Sequence, residues 1–525
     1  MENKGNSSSN GSYVEKLEGI VDNVQPAFSH SAAYHENANG DILMTNGLKA
    51  GLKDYSVNLI ALAGIIGPGA LIGMGSFLAA SGPVGMLIGF SIICLIAVPM
   101  MFYIGELNSM YGLNFAGLGS KFVSPGFGAT VALCYVVMWI TNIIAEYTSL
   151  TASLQTYSSD VPTYGWYLIM WAVFTAFQTL NVSWWGELEA WLAVIKIIFI
   201  SGFYLFSIIY AAGGIKGHSP GNPFRDYPLN SGFKGVVNGL IYGGTFMSGI
   251  ESVSVLATET KNIKKAIPTA VRNTLFRILF VYYGLSITYG ITVPYNNEQL
   301  TSSDRVLRSP MAIALTEAGW VNAKYYVTSM ILVICLSSIN TAIYLASRAL
   351  FSWADKGYGP KIFTKTTARG VPYVAIHTCH LFGFLSILSY SSGSTVAYAY
   401  IVNVTGVAAF IIWASIGVIH LRFRKLWIAS GRTTAELPFK SAFFPYTNYF
   451  SISLGIVLVL VQGWSVFKPF DYKNFIDAYI LLPAFFICWA SYDYYFKTGF
   501  VKVENIDFDE DRRPDVDEVE ELKIA

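Results

Sequence analysis

Three ionisable side chains stand inside long apolar runs of this sequence: Glu146, Lys196 and Glu251. Charge is expensive in hydrocarbon, so such residues in membrane segments mark substrate, ion or proton pathways. An amine and two carboxylates at that depth can exchange protons. Glu251 follows Ser248 and Gly249 directly, which sets a carboxylate beside a weak point in its segment. Plainer readings stand beside these. The Lys196 stem can snorkel toward a helix end about two turns away, and Glu146 falls near an end if its segment is shifted. Glu106, in Gly105-Glu106-Leu107, reads as a structural charge at a segment end. His377 and His380 are one turn apart without carboxylates or cysteines at ligand spacing, which favours packing over metal binding. The five cysteines (Cys94, Cys134, Cys335, Cys379 and Cys488) lie in apolar runs with no CxxC, so neither a disulfide framework nor a metal site is expected. No phosphate-binding loop occurs and no nucleophile, base and orienting group can be assembled. The reading is therefore of a protein without catalysis and without a cofactor.

Two glycine clusters must position these groups. Gly64, Gly67, Gly69, Gly73 and Gly75 surround Pro68 within twelve residues. Proline removes a backbone donor and glycine permits non-helical dihedrals, so a continuous helix is disfavoured there. Freed backbone groups in hydrocarbon must meet protein or a polar ligand, and a break implies a lined cavity. The amides of Gly69, Ala70 and Leu71 are expected to start a second half-helix whose positive end faces an anion such as a carboxylate. Simple close packing through Gly69 and Gly73 is the bland alternative. The second cluster, Gly243, Gly244 and Gly249, precedes Glu251. Interrupted helices at corresponding places in two halves point to a transporter of inverted repeats.

The elements carrying these clusters read as membrane spans, each needing about 20 apolar residues. Twelve are expected, near 57–80, 84–109, 127–154, 163–181, 190–212, 236–257, 275–294, 323–347, 372–390, 395–420, 443–466 and 474–496. The fold class is thus an all-α integral membrane protein. Two inverted five-helix repeats (about 57–212 and 236–420) precede two further helices (about 443–496) in a transmembrane domain of 56–498. A polar, disordered tail of 1–55 and an acidic, mobile tail of 499–525 are expected to flank it, with no signal peptide. Composition agrees: 53% of residues are hydrophobic and only 13% charged, against about 25% in soluble domains. The net charge of +1 gives no sign of a nucleic-acid partner. Assigned to the two sides, Lys and Arg in the connections divide sixteen to eight. By the positive-inside bias that places both termini in the cytoplasm. The sequons at Asn6 and Asn10 would then be silent.

The chain resembles the fungal amino-acid permeases of the amino acid–polyamine–organocation superfamily, most nearly the general amino-acid permease branch. The resemblance runs from about residue 50 to 513. It rests on Ile66 through Gly73, Gly105-Glu106-Leu107, Glu251 after Ser248-Gly249, and the run Glu259 to Pro268. It continues through Ser347 to Lys361 and Arg369 to Pro372. It implies proton-driven import of amino acids across the plasma membrane by alternating access, with broad specificity. Amino acid, proton and lipid bilayer are then the partners, and trafficking machinery would meet the cytoplasmic tails. By that likeness Ile65, Ile66, Gly67, Gly69 and Ala70 hold the substrate carboxylate and part of the amine. Thr245, Phe246, Ser248 and Glu251 complete the site, with Ser337 and Asn340 in the side-chain pocket. Lys196 matches a span-5 lysine that stands in for a sodium ion in proton-coupled relatives, and Glu146 matches a span-3 acid.

The sequence departs from the family pattern in three places. Many relatives carry Gly-Thr-Gly where this chain has Gly67-Pro68-Gly69, so carboxylate contacts must come from flanking amides. Asp54-Tyr55 replaces an Arg-His pair, and the terminus Ile524-Ala525 lacks an aromatic-Cys ending. The competing reading is a non-transporting amino-acid sensor of the same fold, disfavoured by the short tails. A sugar transporter of the major facilitator type predicts no broken first span.

Overall fold

The computed structural model describes residues 34–36, 42–44, 59–60, 66–178, 182–258, 263–302, 306–367, 370–390, 395–467 and 469–512. Ile65 therefore lies outside the described residues, as do Asp54, Tyr55 and the two sequons. Within the expected disordered tail, Tyr34–Glu36 and Ile42–Met44 form a short antiparallel strand pair. Every other described element is helical.

Among the described residues, seven helices are long and apolar enough to cross a membrane: Gly73–Met110, Pro125–Gln155, Gly186–Ala211, Thr269–Thr292, Ala323–Asp355, Asn403–Ala429 and Tyr446–Val466. The pair Tyr472–Tyr479 and Leu481–Tyr495, bent by 45°, would make an eighth. The other expected spans coincide with shorter or broken helices. The fourth is Thr163–Gln178. The ninth passes from the α-helix Tyr373–Leu381 into a 3-10 segment, Phe382–Tyr390.

The first two expected spans are joined through Gly82, whose φ of 72° and ψ of 167° turn the chain sharply inside Gly73–Met110. A left-handed φ suits glycine, and Pro83 ends the helical ladder behind it. The freed groups are met from another segment: Val84 N donates to Pro228 O (3.0 Å) and Asn230 N to Ser81 O (3.2 Å). Beyond the turn, Gly73–Met110 packs along Phe233–Met247 backbone to backbone. A Cβ on Gly89 would lie 2.3 Å from Gly239 O, and one on Gly239 would lie 2.6 Å from Gly85 O. No side chain fits in this seam.

At the far end of the same helix Glu106 is wholly buried. It accepts two hydrogen bonds from Arg424, one of them Nη2 at 2.9 Å, and one from Ser441 N at 2.7 Å. His420 Nε2 lies 3.1 Å away, and its Nδ1 meets Asn448 Nδ2 at 2.9 Å. Breaking such a buried pair costs about 3–5 kcal/mol. Glu106 is a structural charge, tying the Gly73–Met110 helix to the C-terminal helices.

The acidic tail, expected to be mobile, is docked as far as Arg512. Val501 N bonds Val123 O (2.9 Å), and Gly112 N bonds Asp511 O (3.3 Å). Phe508 is buried against Trp427 and Phe122. Asp509 receives both guanidinium nitrogens of Arg432 at 3.0 and 2.7 Å. Apolar anchors and facing arginines, contributed by separate segments, hold a stretch that its own composition marks as solvated.

Three of the cations assigned to connections also lie inside the body. Arg277 and Arg424 are fully buried, and Arg348 is 5% exposed with its guanidinium 4.5 Å from the Tyr344 ring centroid. They carry no weight in the orientation argument.

Candidate functional site

A cavity of about 320 Å³ lies between two of the backbone breaks, at Gly67–Ala70 and at Ser248–Gly249. At the first, Gly67 is extended (φ −90°, ψ 175°), a 3-10 turn spans Pro68–Ala70, and an α-helix begins at Gly73. The Ala70 amide is taken by Gly67 O (3.1 Å) and the Leu71 amide by Pro68 O (3.0 Å). Of the three donors expected to face an anion, only that of Gly69 stays outside the turn's hydrogen bonds. The 3-10 geometry consumes the others. Gly69 and Gly73 also serve packing, because a Cβ on either would come within 3.0 Å of the Phe246 ring. The bland reading of that pair is thus met alongside the break.

At the second break the helix Phe233–Met247 stops and Gly249 adopts a left-handed φ of 95° before the 3-10 turn Ile250–Ser252. Ser248 Oγ donates to Thr245 O at 2.8 Å. Glu251 is wholly buried and turned away from the cavity. Its carboxylate accepts from Gly249 N at 3.2 and 3.1 Å and from Trp413 Nε1 at 3.0 Å. These bonds tie it to the break at Gly249, and it is not among the residues that line the cavity.

Ile66, Gly67, Gly69, Ala70, Thr245, Phe246 and Ser248 all line the cavity, and so does Glu146. Glu146 Oε2 accepts from Ser338 Oγ at 2.7 Å. Its other oxygen faces Gly67 so closely that a Cβ there would lie 2.5 Å away. Lys196, 1% exposed, stands behind the wall and donates to Ile66 O (3.1 Å) and Ser337 Oγ (2.7 Å). The broken backbone of the first span is thus gripped by an ammonium group.

Ser337 and Asn340 do not reach the cavity. Ser338 and Thr341, one residue further along the same helix, do. A step of one residue turns a helix by 100°, enough to exchange one face for another. Sequence reasoning also passed over Asn142, Tyr282, Arg308 and Thr405 in the wall. Tyr282 is placed by a π-helical turn, Ile278–Tyr283, a form found often at functional sites. The largest omission is Glu189, wholly buried and bonded by Ser337 and Asn340. Its spacing of seven from Lys196, two helical turns on one face, was the available signal. His380 is a packing residue: its ring meets Tyr147 Oη and Thr175 Oγ1 and stacks on Trp171. No group of acids, histidines and cysteines among the described residues is arranged to hold a metal ion.

Two backbone breaks beside a cavity with polar groups in its wall, inside a body of membrane-length helices, fit a multi-pass membrane transporter. The chain belongs to the amino acid permease family, whose model matches residues 56–505. It is 52% identical to an uncharacterized amino-acid permease of Schizosaccharomyces pombe, over 89% of this chain and 87% of the relative. It is 43% identical to the general amino acid permease AGP3 of Saccharomyces cerevisiae, over 90% and 86%. Identity to the basic amino-acid permease of that yeast is 33%, over 90% and 85%. These relatives are named as permeases, which are transporters and not enzymes.

Proposed function

We propose that this chain is a proton-coupled amino-acid importer of the plasma membrane, working by alternating access with broad specificity. In this reading twelve crossings place both termini in the cytoplasm, and two five-span repeats enclose the cavity. The observation that carries it is the bond from Lys196 Nζ to Ile66 O, which couples an ionisable amine to the backbone break lining the cavity. Loss of the amine's proton removes a charged donor from that carbonyl, so protonation and the shape of the break are linked. The Gly69 amide and Phe246 then receive the carboxylate and stem of the substrate, and Thr245 and Ser248 receive its amine. These groups read what all amino acids share, in keeping with the name of the general amino acid permease relative. One charge moving through 100 mV contributes about 2.3 kcal/mol, roughly fiftyfold in accumulation, without a nucleotide.

The test is uptake of labelled amino acids by proteoliposomes under an imposed pH gradient, with a competition panel of the standard amino acids. Lys196→Met should abolish uphill uptake and leave substrate binding measurable. Normal accumulation by that variant refutes the coupling role. A sensor of the same fold would bind amino acids in this assay and transport none.

A further inference from the structure

Behind the cavity wall lies a second buried acid to which the coupling reading above gives no work. Glu189 sits on the same helix as Lys196, seven residues earlier, about 10 Å along the axis. The two are joined through the neighbouring helix Ala323–Asp355. Lys196 Nζ donates to Ser337 Oγ at 2.7 Å, and Ser337 Oγ donates to Glu189 Oε2 at 2.5 Å. The other carboxylate oxygen accepts from Asn340 Nδ2 at 2.6 Å, and Asn340 Oδ1 accepts from Gln178 Nε2 at 2.5 Å. Glu189, Ser337 and Asn340 are at most 1% exposed, so the chain of donors is sealed from bulk solvent.

We propose that Glu189 is the resident proton acceptor of Lys196, reached through the Ser337 hydroxyl. The proposal rests on the proton-coupled reading above. The hydroxyl is already oriented for transfer, since it accepts from the ammonium and donates to the carboxylate. An N–H bond of Lys196 breaks as an O–H bond forms at Ser337 Oγ. The original Ser337 O–H bond breaks as its proton joins Glu189 Oε2. Ammonium and carboxylate become amine and carboxylic acid, so the net charge of the pair stays zero and no electrons are exchanged. The Ile66 carbonyl then loses its charged donor while the bundle stays electrically balanced. Neutral amine and carboxylic acid are also cheaper to bury than the charged groups they replace. The other ionisable groups acting on Lys196 are Glu146 from the cavity side, Cys335 from the Ser337 helix and Arg277. Glu146 competes for the proton from the substrate's side, so Lys196 stands between an acid that meets the cavity and one that never does.

Glu189 is a positioning and relay residue, and its test must separate coupling from folding. The full chain in proteoliposomes, supplied with a mixture of labelled standard amino acids, is assayed for gradient-driven accumulation and for exchange at zero gradient. In Glu189→Gln the amide cannot take the proton, and accumulation should fall at least about tenfold while exchange falls no more than about threefold. Ser337→Ala should show the same split, and Glu189→Asp should recover most of the accumulation. The proposal is overturned if Glu189→Gln or Ser337→Ala accumulates like the parent. It is overturned equally if accumulation and exchange fall together in Glu189→Gln and Glu189→Asp restores neither. If the parent itself shows no gradient-driven accumulation, the proton-coupled reading fails first and takes this one with it.

Discussion

Substituting Gly67 by alanine probes how tightly the first break is fitted against Glu146. The backbone imposes no penalty, because φ −90° and ψ 175° are open to any residue. The new methyl carbon would lie 2.5 Å from Glu146 Oε1, about 0.9 Å inside ordinary contact. A carboxylate at the end of a flexible stem can withdraw by that much. Withdrawal pulls its other oxygen from Ser338 Oγ, now at 2.7 Å. A hydrogen bond to a charged group contributes about 1.5–3 kcal/mol, so a loss of roughly 10- to 150-fold in kcat/KM for uptake is expected. The assay is initial-rate uptake in proteoliposomes at matched protein density. Glu146→Asp, shorter by one methylene, returns the space. The double variant should therefore lose less than the sum of the single losses, by about 1 kcal/mol or more. Uptake by Gly67→Ala within about twofold of the parent, or strict additivity in the cycle, would refute the fitted contact.

Other perturbations follow from the same geometry. Glu251→Gln sets an amide donor against the Gly249 and Trp413 donors and should cut uptake by about 5- to 150-fold at equal abundance; unchanged kinetics would make this acid dispensable. Gly89→Ala forces a methyl to within 2.3 Å of Gly239 O and should destabilise by about 1–3 kcal/mol or more, read as a lower Tm of the purified protein. Gly202→Ala, which meets nothing within 4 Å inside the helix Val182–Ala211, is its control and should not lower Tm. Arg432 bonded to Asp509 holds that carboxyl below its ordinary range, so docking of the tail gains stability above the unfolded value of about 3.9 and loses it as pH falls below. Limited proteolysis of 499–512 should accelerate toward pH 3 in the parent and vary less with pH in Asp509→Asn; at this exposed site the energy is about 0–1 kcal/mol.

The breaks were legible because Gly67-Pro68-Gly69 and Ser248-Gly249 act locally, through dihedrals and a missing donor. Glu146 and Lys196 were legible because charge inside an apolar run is costly wherever the neighbours stand. What failed depended on phase or on distant partners. Ser337 and Asn340 stand on a helix that lines the cavity, but the wall holds Ser338 and Thr341, one residue further on. Glu189 falls one residue before the fifth expected span, near 190–212, whereas the helix begins at Val182. Arg277 is assigned to a connection although it falls at the start of the span expected near 275–294. The structure places it inside Thr269–Thr292, where Nε, Nη1 and Nη2 find no hydrogen-bond partner among the described residues. Tail docking was invisible because its anchors, Val123, Trp427 and Arg432, lie far from the tail in sequence.

The side-chain-free seam between Gly85, Gly89 and Gly239 has a mechanical meaning. Sliding one helix along the other by a single residue, 1.5 Å, would drive leucine and isoleucine into a gap that admits only hydrogen. The seam has one register, and the two helices form one lever. Thr245 and Phe246 ride on that lever with residues 84–110. Any opening of the cavity must then bend at its joints, Gly82 at one end and Ser248-Gly249 at the other, where the backbone has already left the helix.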